Sequence, residues 1–349
     1  MELIELGMDH WFKGHAHGLC QPEQRLARVT AVDRGQCIVR DEVGEFPAKA
    51  TGTFMSSLQS TTDMPCVGDW VCVDCPDSDN SASIHTVLPR KSFLRRKSAG
   101  KSLKFQMIAA NIDVVFIVQS CHFDFNVSRL ERYLLMANEG HVEPILILTK
   151  KDLVSAEALE HLIEKIRGAG IQARILAISN VTGSGLGQVK EVMRFGKTYC
   201  LVGSSGVGKS TLINQLTGHD IVKTGSVSTS GEGRHTTVRR QLILLEQGAM
   251  LIDTPGMREV GILVASEGMD DNFDDIQQLS SGCRFTNCGH TNEPGCAVLA
   301  AIEDGHLQSE HFQNYTKLKA ESALNEMSYA DKRKKANKAH LPQHKINSA

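Results

Sequence analysis

The sequence lacks the features of a membrane-spanning or secreted protein, and it lacks a strong charge of either sign. No stretch of its 349 residues approaches the roughly 18 consecutive apolar residues that cross a bilayer. The N-terminal segment MELIELGMDHWFKGHAHG has neither the basic start nor the apolar centre of a secretory signal peptide. The formal net charge is only −2, so any affinity for nucleic acid must come from local basic patches. These absences predict a cytoplasmic protein that does not bind membranes.

The composition is that of a globular protein with more than one domain. Hydrophobic residues make up 41% and charged residues 22%, which are ordinary values for a soluble chain long enough to hold two or three domains. Ten cysteines are present, and in a cytosolic chain of this size metal binding or burial is favoured over disulfides. Cys72, Cys75, Cys121 and Cys200 lie in strand-like or apolar runs, so we expect them to be buried.

The N-terminal part predicts a small β-barrel after a flexible arm. Residues 1–21 show no clear hydrophobic period, which favours a flexible arm. Residues 22–90 contain short β-like runs separated by Gly, Asp, Ser and Pro, a pattern typical of an all-β barrel. The runs are LARVTAV, QCIVR, EFPAKA, DWVCVDC and SIHTVLP. An OB-type, RNA-binding barrel is favoured, and the spacing alone also permits an SH3-like barrel.

Two segments carry most of the clustered positive charge. Residues 89–104, PRKSFLRRKSAGKSLK, hold seven basic side chains and no acidic one, and we interpret 91–104 as a basic linker. The tail 331–349 holds six Lys and Arg residues against one acid. Such runs are either solvated connectors or RNA contacts, since Lys and Arg clusters meet phosphate backbones without reading sequence.

The central part, residues 105–266, predicts an α/β doubly wound domain. Apolar runs suited to buried strands alternate with helical patterns in this part of the chain. The strand-like runs are IDVVFIVQS, PILILT, ARILAIS, YCLVG, QLILLE and AMLID. One helix is predicted from Leu130, Tyr133, Leu134 and Ala137 at helical spacing. A second is predicted after Ser155 as cap, burying Leu159, Leu162, Ile163 and Ile166 and ending near Gly168.

A phosphate-binding loop follows the strand YCLVG. The segment GSSGVGKS matches the P-loop pattern, in which backbone N–H groups surround the phosphates, the lysine reaches the β- and γ-phosphates, and the serine hydroxyl binds Mg²⁺. The predicted phosphate-site residues are Gly203, Ser204, Ser205, Gly206, Val207, Gly208, Lys209, Ser210 and Thr211.

A second motif, LIDTPG, supplies groups that sense the γ-phosphate. Asp253 at the strand end is expected to hold Mg²⁺ through water, and the Gly256 N–H is expected to contact the γ-phosphate. The Gly-, Ser- and Thr-rich segment 224–237 lies between the two motifs and is typical of a switch loop, with Thr236 or Thr237 closing on Mg²⁺.

The motif that reads the base precedes the phosphate-binding loop. A carboxylate after a buried strand can accept hydrogen bonds from guanine N1–H and the exocyclic amine, whereas adenine offers no such pair, and the lysine stem can pack over the purine. The predicted base-site residues are Thr149, Lys150, Lys151, Asp152 and Ser179. Thr149 departs from the commoner Asn of such motifs. The order of base motif, phosphate loop and switch is that of a circularly permuted GTPase, and it places the last switch directly before the C-terminal module.

The C-terminal module, residues 267–330, contains a compact set of metal ligands within a mainly helical sequence. Three thiols and one imidazole inside CRFTNCGHTNEPGC suit tetrahedral Zn²⁺, with no position left open for catalysis. The predicted zinc ligands are Cys283, Cys288, His290 and Cys296.

Together these motifs resemble the RsgA/YjeQ family of circularly permuted GTPases that depend on the small ribosomal subunit. The matching segments are AANID at 109–113, TKKD at 149–152, GSSGVGKST at 203–211, GRHTT at 233–237, DTPGMRE at 253–259 and the Cys₃His cluster with EPGCAV. The resemblance covers nearly the whole chain and implies an OB domain, a GTPase domain and a zinc domain. It also implies late maturation of the small subunit, contact with its rRNA, and GTP hydrolysis that the subunit stimulates. We expect a monomer with one structural Zn²⁺ and with Mg²⁺ bound together with GTP.

Hydrolysis needs a group that orients water, and the usual glutamine after the switch glycine is absent. Met257 stands there, and a thioether cannot orient water. The family resemblance implies His235 instead, beside the charge of Lys209. Two other functions remain open: an RNA-binding scaffold in which GTP is mainly structural or regulatory, and a zinc-bearing ATPase, which TKKD disfavours. Turnover stimulated by the subunit would separate the first from a GTPase, and competition between GTP and ATP would separate the second.

Overall fold

A computed structural model provides the fold, and it describes residues 2–33, 36–74, 81–97, 105–122, 124–219, 240–254 and 273–326. The chain divides into two compact units, 1–262 and 263–349. The division falls within residues 255–272, which lie outside the described residues.

The first unit begins with a closed five-stranded barrel. Its strands are β1 (Arg25–Asp33), β2 (Gln36–Arg40), β3 (Glu45–Ala50), β4 (Trp70–Val73) and β5 (Ala82–Val87). They pair in the order β1-β2-β3-β5-β4, and β4 pairs back onto β1 to close the barrel. The pairing of β3 with β5 is parallel and the others are antiparallel. The favoured OB-type interpretation is confirmed, because alternate apolar residues of each strand fill one interior. A short helix, α2 (Gly52–Ser57), and a 3-10 turn (Thr61–Asp63) lie between β3 and β4.

The prediction of a flexible N-terminal arm is wrong. Leu3–Leu6 form a 3-10 turn and His10–Leu19 form helix α1, which Asp9 caps by accepting hydrogen bonds from the backbone N–H of Trp11 and Phe12. Leu6, Met8 and Phe12 pack against Trp70 of the barrel. The segment escaped detection because α1 buries a single large side chain, so its sequence shows no helical period.

A disulfide joins the end of this segment to the barrel. Cys20, the C-cap of α1, is bonded to Cys72 of β4. Cys72 is buried as predicted, but the preference for burial over a disulfide is wrong for this residue. Cys121 and Cys200 are buried free thiols, as predicted. Cys75 lies outside the described residues.

The predicted basic linker is partly a strand. Phe93–Lys97 form β6, which pairs in antiparallel fashion with β7 (Phe105–Ala110) in a separate two-stranded sheet. Residues 98–104, between the two strands in sequence, lie outside the described residues. In the described part of the predicted linker, Phe93–Lys97 are therefore a paired strand and not a solvated connector.

The central α/β domain is built on a mostly parallel sheet. Its strands are β8 (Val114–Ser120), β9 (Glu143–Thr149), β10 (Arg174–Ala177), β11 (Thr198–Val202), β12 (Arg240–Leu244) and β13 (Met250–Asp253). They lie in the order β10-β9-β8-β11-β13-β12, and only β12 runs antiparallel to its neighbour among these described pairings. The carboxyl ends of β9, β11 and β13 therefore meet at one edge, where the predicted base, phosphate and Mg²⁺ residues lie.

The helices of this domain follow the strands. They are α3 (Val127–Glu139), α4 (Ala156–Gly168), α5 (Leu186–Val192) and α6 (Lys209–Thr217), with a 3-10 turn at Lys151–Leu153. Both predicted helices are confirmed: α3 buries its four predicted residues, and Ser155 caps α4 by accepting a hydrogen bond from the Ala158 N–H. In α4 only Ile166 is fully buried, and the other three predicted residues are half-buried.

The barrel and the α/β domain share one continuous sheet. Strand β12 pairs with β1, with Ala31 opposite Gln241, so that eleven strands form a single sheet. The guanidinium of Arg28, buried at this junction, donates to the carbonyls of Leu6, Gly68 and Asn111 and to Thr198 Oγ1. The two regions predicted as separate domains are therefore one compact unit.

The second unit is helical in its described part. Its helices are α7 (Asp274–Ser281), α8 (Ala297–Glu303) and α9 (Ser309–Glu326), around a core that includes Phe273, Ile276 and Leu318. None of the helices within the described residues of the chain combines the length and apolar composition that a membrane span requires.

Candidate nucleotide and metal sites

The phosphate-binding loop joins the buried strand β11 to helix α6. Gly203, Gly206 and Gly208 have φ angles of 145°, 76° and 100°, a region that side chains other than glycine rarely adopt. A Cβ on Gly203 would also lie 2.2 Å from the carbonyl oxygen of Val118 in β8. The loop can therefore turn tightly against the sheet and direct its N–H groups, together with the N-terminus of α6, at an anion.

Lys209 and Asp253 form the charged part of this site. Lys209 Nζ donates to the carbonyl oxygens of Gly203, at 2.8 Å, and of Ser204, at 2.5 Å. Burial lowers the pKa of Lys209 to about 8, against the opposing effect of Asp253. Burial likewise raises the pKa of Asp253 to about 6, with Lys209 acting in the opposite direction. Each charge lies close enough to the other to stabilise it partly.

Asp253 fits the expected role in holding Mg²⁺. Its Oδ2 is buried and, among the described residues, has no hydrogen-bond partner. A carboxylate oxygen that burial leaves unsatisfied at the end of a strand next to a P-loop suits a hard cation. Ser210, in the first turn of α6, supplies the hydroxyl of the same predicted set.

The base motif lies beside the phosphate loop, as the permuted order requires. Lys150 adopts a left-handed conformation with φ of 58° and precedes the 3-10 turn Lys151–Leu153, on which Asp152 is exposed. The Lys151 N–H donates to the Ile178 carbonyl at 3.1 Å. Ser179 is buried and its Oγ accepts hydrogen bonds from the backbone N–H groups of Val181 and Thr182. The predicted base residues of both segments are thus brought to one edge.

Two hydrogen bonds tie the base motif to the phosphate loop. Thr149 Oγ1 donates to the Val207 carbonyl at 2.5 Å, and Asn180 Nδ2 donates to the Gly208 carbonyl at 3.0 Å. Thr149 thus makes a structural bond to the loop despite its departure from the commoner Asn. The sequence places Asn180 at the end of the second predicted base segment, AISN at 177–180. Its side-chain bond to Gly208 was not predicted, because that contact depends on the folded sheet.

One residue that the sequence reasoning missed is Arg129, in the first turn of α3. Its guanidinium donates to Ser204 Oγ at 2.6 Å. A single arginine in a helical pattern carries no sequence signal, so only the fold identifies it. Four of the predicted site residues, His235, Thr236, Thr237 and Gly256, lie outside the described residues.

The four predicted zinc ligands converge in the second unit. One ligand atom from each of them lies within 4.8 Å of all the others. The Cys296 Sγ lies 3.3 Å from His290 Nδ1 and 3.9 Å from Cys283 Sγ. Bonds of about 2.3 Å to sulfur and 2.0 Å to nitrogen would place tetrahedral ligand atoms about 3.5–3.8 Å apart, so the cluster fits Zn²⁺. Ser280 Oγ lies 3.1 Å from His290 Nε2 and orients the ring with Nδ1 toward the thiols.

Much of the basic charge in residues 89–104 has internal partners. Arg90 forms a bidentate ion pair with buried Asp69, with both distances 2.7 Å. Arg95 donates to Glu139 and lies over the Phe105 ring, at 4.2 Å from its centroid. Lys91 pairs with Asp9. The patch that remains for a partner is smaller than the charge count suggested.

The fold and the site define a class of protein. A P-loop, a strand-end aspartate and the predicted base motif meet at one edge of the sheet, and the predicted base motif precedes the P-loop in sequence. This is a circularly permuted P-loop GTPase with an N-terminal OB-type barrel. The chain belongs to the RsgA GTPase family, whose model matches residues 87–263. Members of this family hydrolyse GTP, and GTPases act on GTP together with Mg²⁺.

Curated relatives support the assignment over most of the chain. The chain is 42% identical over 299 residues to "Small ribosomal subunit biogenesis GTPase RsgA 2" of Lactiplantibacillus plantarum, covering 85% of this chain and 83% of the relative. It is 40% identical over 330 residues to the protein of the same name from Listeria monocytogenes, covering 93% and 90%. A second family model, ABC transporter, matches residues 186–341. That match includes the P-loop, which ATPases share, but not the TKKD segment.

Solved structures agree with the fold. YjeQ from Thermotoga maritima has a TM-score of 0.63 and 27% identity, covering 86% of this chain and 99% of its own. YloQ, described as a circularly permuted GTPase, has a TM-score of 0.58 and 23% identity, covering 88% of this chain and 98% of its own. The second likeness supports the fold alone.

Proposed function

We propose that this protein acts in the biogenesis of the small ribosomal subunit, as a monomeric cytoplasmic GTPase that the subunit stimulates. The observation that carries the proposal is the bonding of the base motif to the phosphate loop through Thr149 and Asn180. These bonds join the two base segments and the phosphate loop, three segments of the chain, into one site. The names of the curated relatives supply the subunit as the partner to test.

Guanine recognition is assigned to the exposed Asp152, with the stem of Lys150 against the purine. The carboxylate accepts hydrogen bonds from guanine N1–H and the exocyclic amine, a pair that adenine lacks. The other residues of the proposed GTP-binding set are Lys151, Ser179, residues 203–211, Asp253 and Gly256.

Hydrolysis is assigned to charge neutralisation and positioning. The N–H groups of residues 203–208 and Lys209 hold the β- and γ-phosphates, while Ser210, Asp253 and one of Thr236 and Thr237 hold Mg²⁺, which neutralises developing charge. His235 orients the attacking water. The His235→Ala variant is expected to bind GTP normally and to lose turnover stimulated by the subunit. Unchanged turnover would remove His235 from the mechanism.

Contact with rRNA is assigned to the barrel, the basic β6–β7 segment and the basic tail 331–349. Among the described basic residues of 89–97, Arg90, Lys91 and Arg95 have carboxylate partners, so Arg96 and Lys97 are the ones assigned to RNA. Bound Zn²⁺ at the Cys₃His cluster has a structural role, since four protein ligands leave no position for substrate.

The decisive experiment is GTP hydrolysis with and without purified small ribosomal subunits. We expect turnover to rise by at least tenfold with small subunits and to stay unchanged with large subunits, which serve as the matched control. GTP and ATP are compared in the same assay, and Asp152→Asn is expected to reduce the preference for GTP. GTP binding without stimulated turnover would favour the RNA-binding scaffold and overturn the proposal.

A further inference from the structure

An arginine from outside the nucleotide motifs contacts the phosphate loop. Arg129 lies in the first turn of α3, which follows β8, the strand that pairs with β11. Its Nη1 donates to Ser204 Oγ at 2.6 Å. Ser204 is buried, with 6% of its surface exposed, so this hydrogen bond lies inside the protein and not on its surface.

Arg129 is held in place by the segment before its own helix. Its guanidinium forms a bidentate pair with Asp124, with Nη1–Oδ2 at 2.5 Å and Nη2–Oδ1 at 2.9 Å. Asp124 adopts a left-handed conformation with φ of 59°, and Asn126 caps α3 through the Arg129 N–H. The Arg129 side chain is only 14% exposed. The planar fork of an arginine can serve the carboxylate and the serine at the same time, which a lysine cannot do with the same geometry.

Ser204, which accepts a hydrogen bond from Arg129, also contacts Lys209. The Ser204 carbonyl accepts a hydrogen bond from Lys209 Nζ at 2.5 Å. The side chain of Ser204 is thus bonded to one cation and its backbone to another. Because the neighbouring glycines leave the loop conformationally free, a bond to a rigid helix restricts it at the point where it leaves β11.

We propose that Arg129 is a positioning residue for the nucleotide, which preorganises the phosphate loop through Ser204 and is itself oriented by Asp124. This proposal rests on the GTP site described above. The phosphate loop then loses its conformational entropy when the protein folds and not when the nucleotide binds. Arg129 therefore increases nucleotide affinity. GDP and GTP share the β-phosphate that the loop surrounds, so both gain affinity. The chemical step gains little, because the contact is the same before and during the reaction.

The test measures dissociation constants for GDP and for a non-hydrolysable GTP analogue, together with kcat and KM for GTP. Arg129→Ala is expected to weaken both nucleotides by about tenfold, the size typical of one charge-assisted hydrogen bond. We expect KM to rise and kcat at saturating GTP to stay within about twofold of wild type. Arg129→Lys should recover only part of the affinity.

Double substitution separates this role from a general loss of structure. Ser204→Ala should weaken binding to a similar extent, and Arg129→Ala combined with Ser204→Ala should bind no more weakly than Arg129→Ala alone. Asp124→Asn should give a smaller loss, because the bond to Ser204 remains. The matched control is Arg174→Ala, which removes an exposed arginine at the start of the edge strand β10 and should bind as wild type.

Three results would overturn the proposal. They are wild-type affinity in Arg129→Ala, additive losses in the double variant, and a fall in kcat at unchanged affinity. Failure of the wild-type protein to bind GDP would instead overturn the proposed function, and it is seen before any variant is compared.

Discussion

Lys209 and Asp253 carry opposite charges that burial disfavours, and we assign both of them to the nucleotide site. The pKa of Asp253 is raised from 3.8 to about 6 and that of Lys209 is lowered from 10.5 to about 8. At neutral pH both groups are charged, so the folded protein without nucleotide bears a desolvation cost at the site. Phosphate is the missing partner of Lys209, and Mg²⁺ is the missing partner of Asp253. The site therefore favours nucleotide binding at the expense of the stability of the nucleotide-free protein.

Asp253→Asn is expected to stabilise the nucleotide-free protein. Because the folded pKa lies above the unfolded value, the ionised carboxylate lowers the free energy of unfolding above about pH 6, and this effect disappears as the pH falls below about 4. A shift of about two units corresponds to about 3 kcal/mol at most, so we expect a gain of about 1–3 kcal/mol at pH 7.5. Urea denaturation at pH 7.5 and at pH 4 measures it.

The gain should shrink at pH 4, where Asp253 is protonated in the folded state and about half protonated in the unfolded state, so that little of its ionisation is suppressed by folding. The same variant should lose Mg²⁺-dependent GTP binding. A variant that is less stable than wild type at pH 7.5 would show that Asp253 contributes bonds that outweigh its desolvation.

At the residue scale, the sequence predicts which side chains have a chemical role better than it predicts which residues are in contact. Lys209 and Asp253 were predictable because each motif requires that residue type at a fixed place after a strand. Arg129 and the side-chain bond of Asn180 were not, because each residue meets the phosphate loop only after distant strands pair. Thr149 was predicted as a base residue, but its bond to Val207 required the same fold.

At the scale of elements, burial pattern decided what could be predicted. Strand β8 is buried at every position and opens with five consecutive apolar residues because both of its faces are covered, and this run is visible in the sequence. Strand β6 was hidden because Arg95, Arg96 and Lys97 suggested a solvated linker, yet Arg95 is neutralised by Glu139 on α3. Helix α1 was hidden because it contains two glycines and buries only Phe12 among its residues.

The attachment of α1 to the barrel should depend on redox state. The Cys20–Cys72 disulfide closes a loop with a sequence separation of 52 residues. A loop of that length stabilises the folded state by up to about 4 kcal/mol in the chain-entropy model. We expect dithiothreitol to lower the denaturation midpoint and to raise hydrogen exchange in residues 3–19.

Substitution of both cysteines provides the control for this prediction. Cys20→Ser combined with Cys72→Ser should reproduce the reduced midpoint and should not respond to dithiothreitol. If the double variant still responded, another thiol would be the cause. An unchanged midpoint in the reduced wild type would show that packing of Leu6, Met8 and Phe12 alone holds the segment.

At the scale of the whole molecule, the sequence predicted three regions. It did not predict that the first two, the barrel and the α/β domain, share one continuous sheet. The change from β-like runs to alternating strands and helices correctly separated a barrel from an α/β domain. Neither hydrophobic pattern indicates that β1 pairs with β12. Each strand fits the pattern of its own domain, and the pairing joins two strands from different domains. The GTPase sheet and the barrel consequently share hydrogen bonds and a buried arginine.

Arg28 makes the cooperativity of this first unit testable. Its guanidinium links the N-terminal turn and the barrel to Thr198 at the start of β11 and to Met250 of β13. Among the described residues it has no directly bonded carboxylate, and burial lowers its pKa to about 10. Arg28→Ala would leave several buried carbonyls unsatisfied, so we expect a loss of about 3 kcal/mol or more in the free energy of unfolding.

Two probes report on the two ends of the shared sheet. Both tryptophans, Trp11 and Trp70, lie in the N-terminal part, so their fluorescence follows the barrel, whereas release of a fluorescent GDP analogue at trace concentration follows the GTPase site. If the continuous sheet makes one folding unit, Arg28→Ala shifts both denaturation midpoints equally. Arg25 is a half-exposed arginine on the same strand as Arg28 and lies 3.5 Å from the buried Asp41. Arg25→Ala should shift neither midpoint by more than about 1 kcal/mol, because Asp41 keeps its hydrogen bonds from the Val43 and Gly44 N–H groups. A shift of the tryptophan signal alone would mean that the barrel unfolds independently, and the shared sheet would then be a contact between two domains and not a single folding unit.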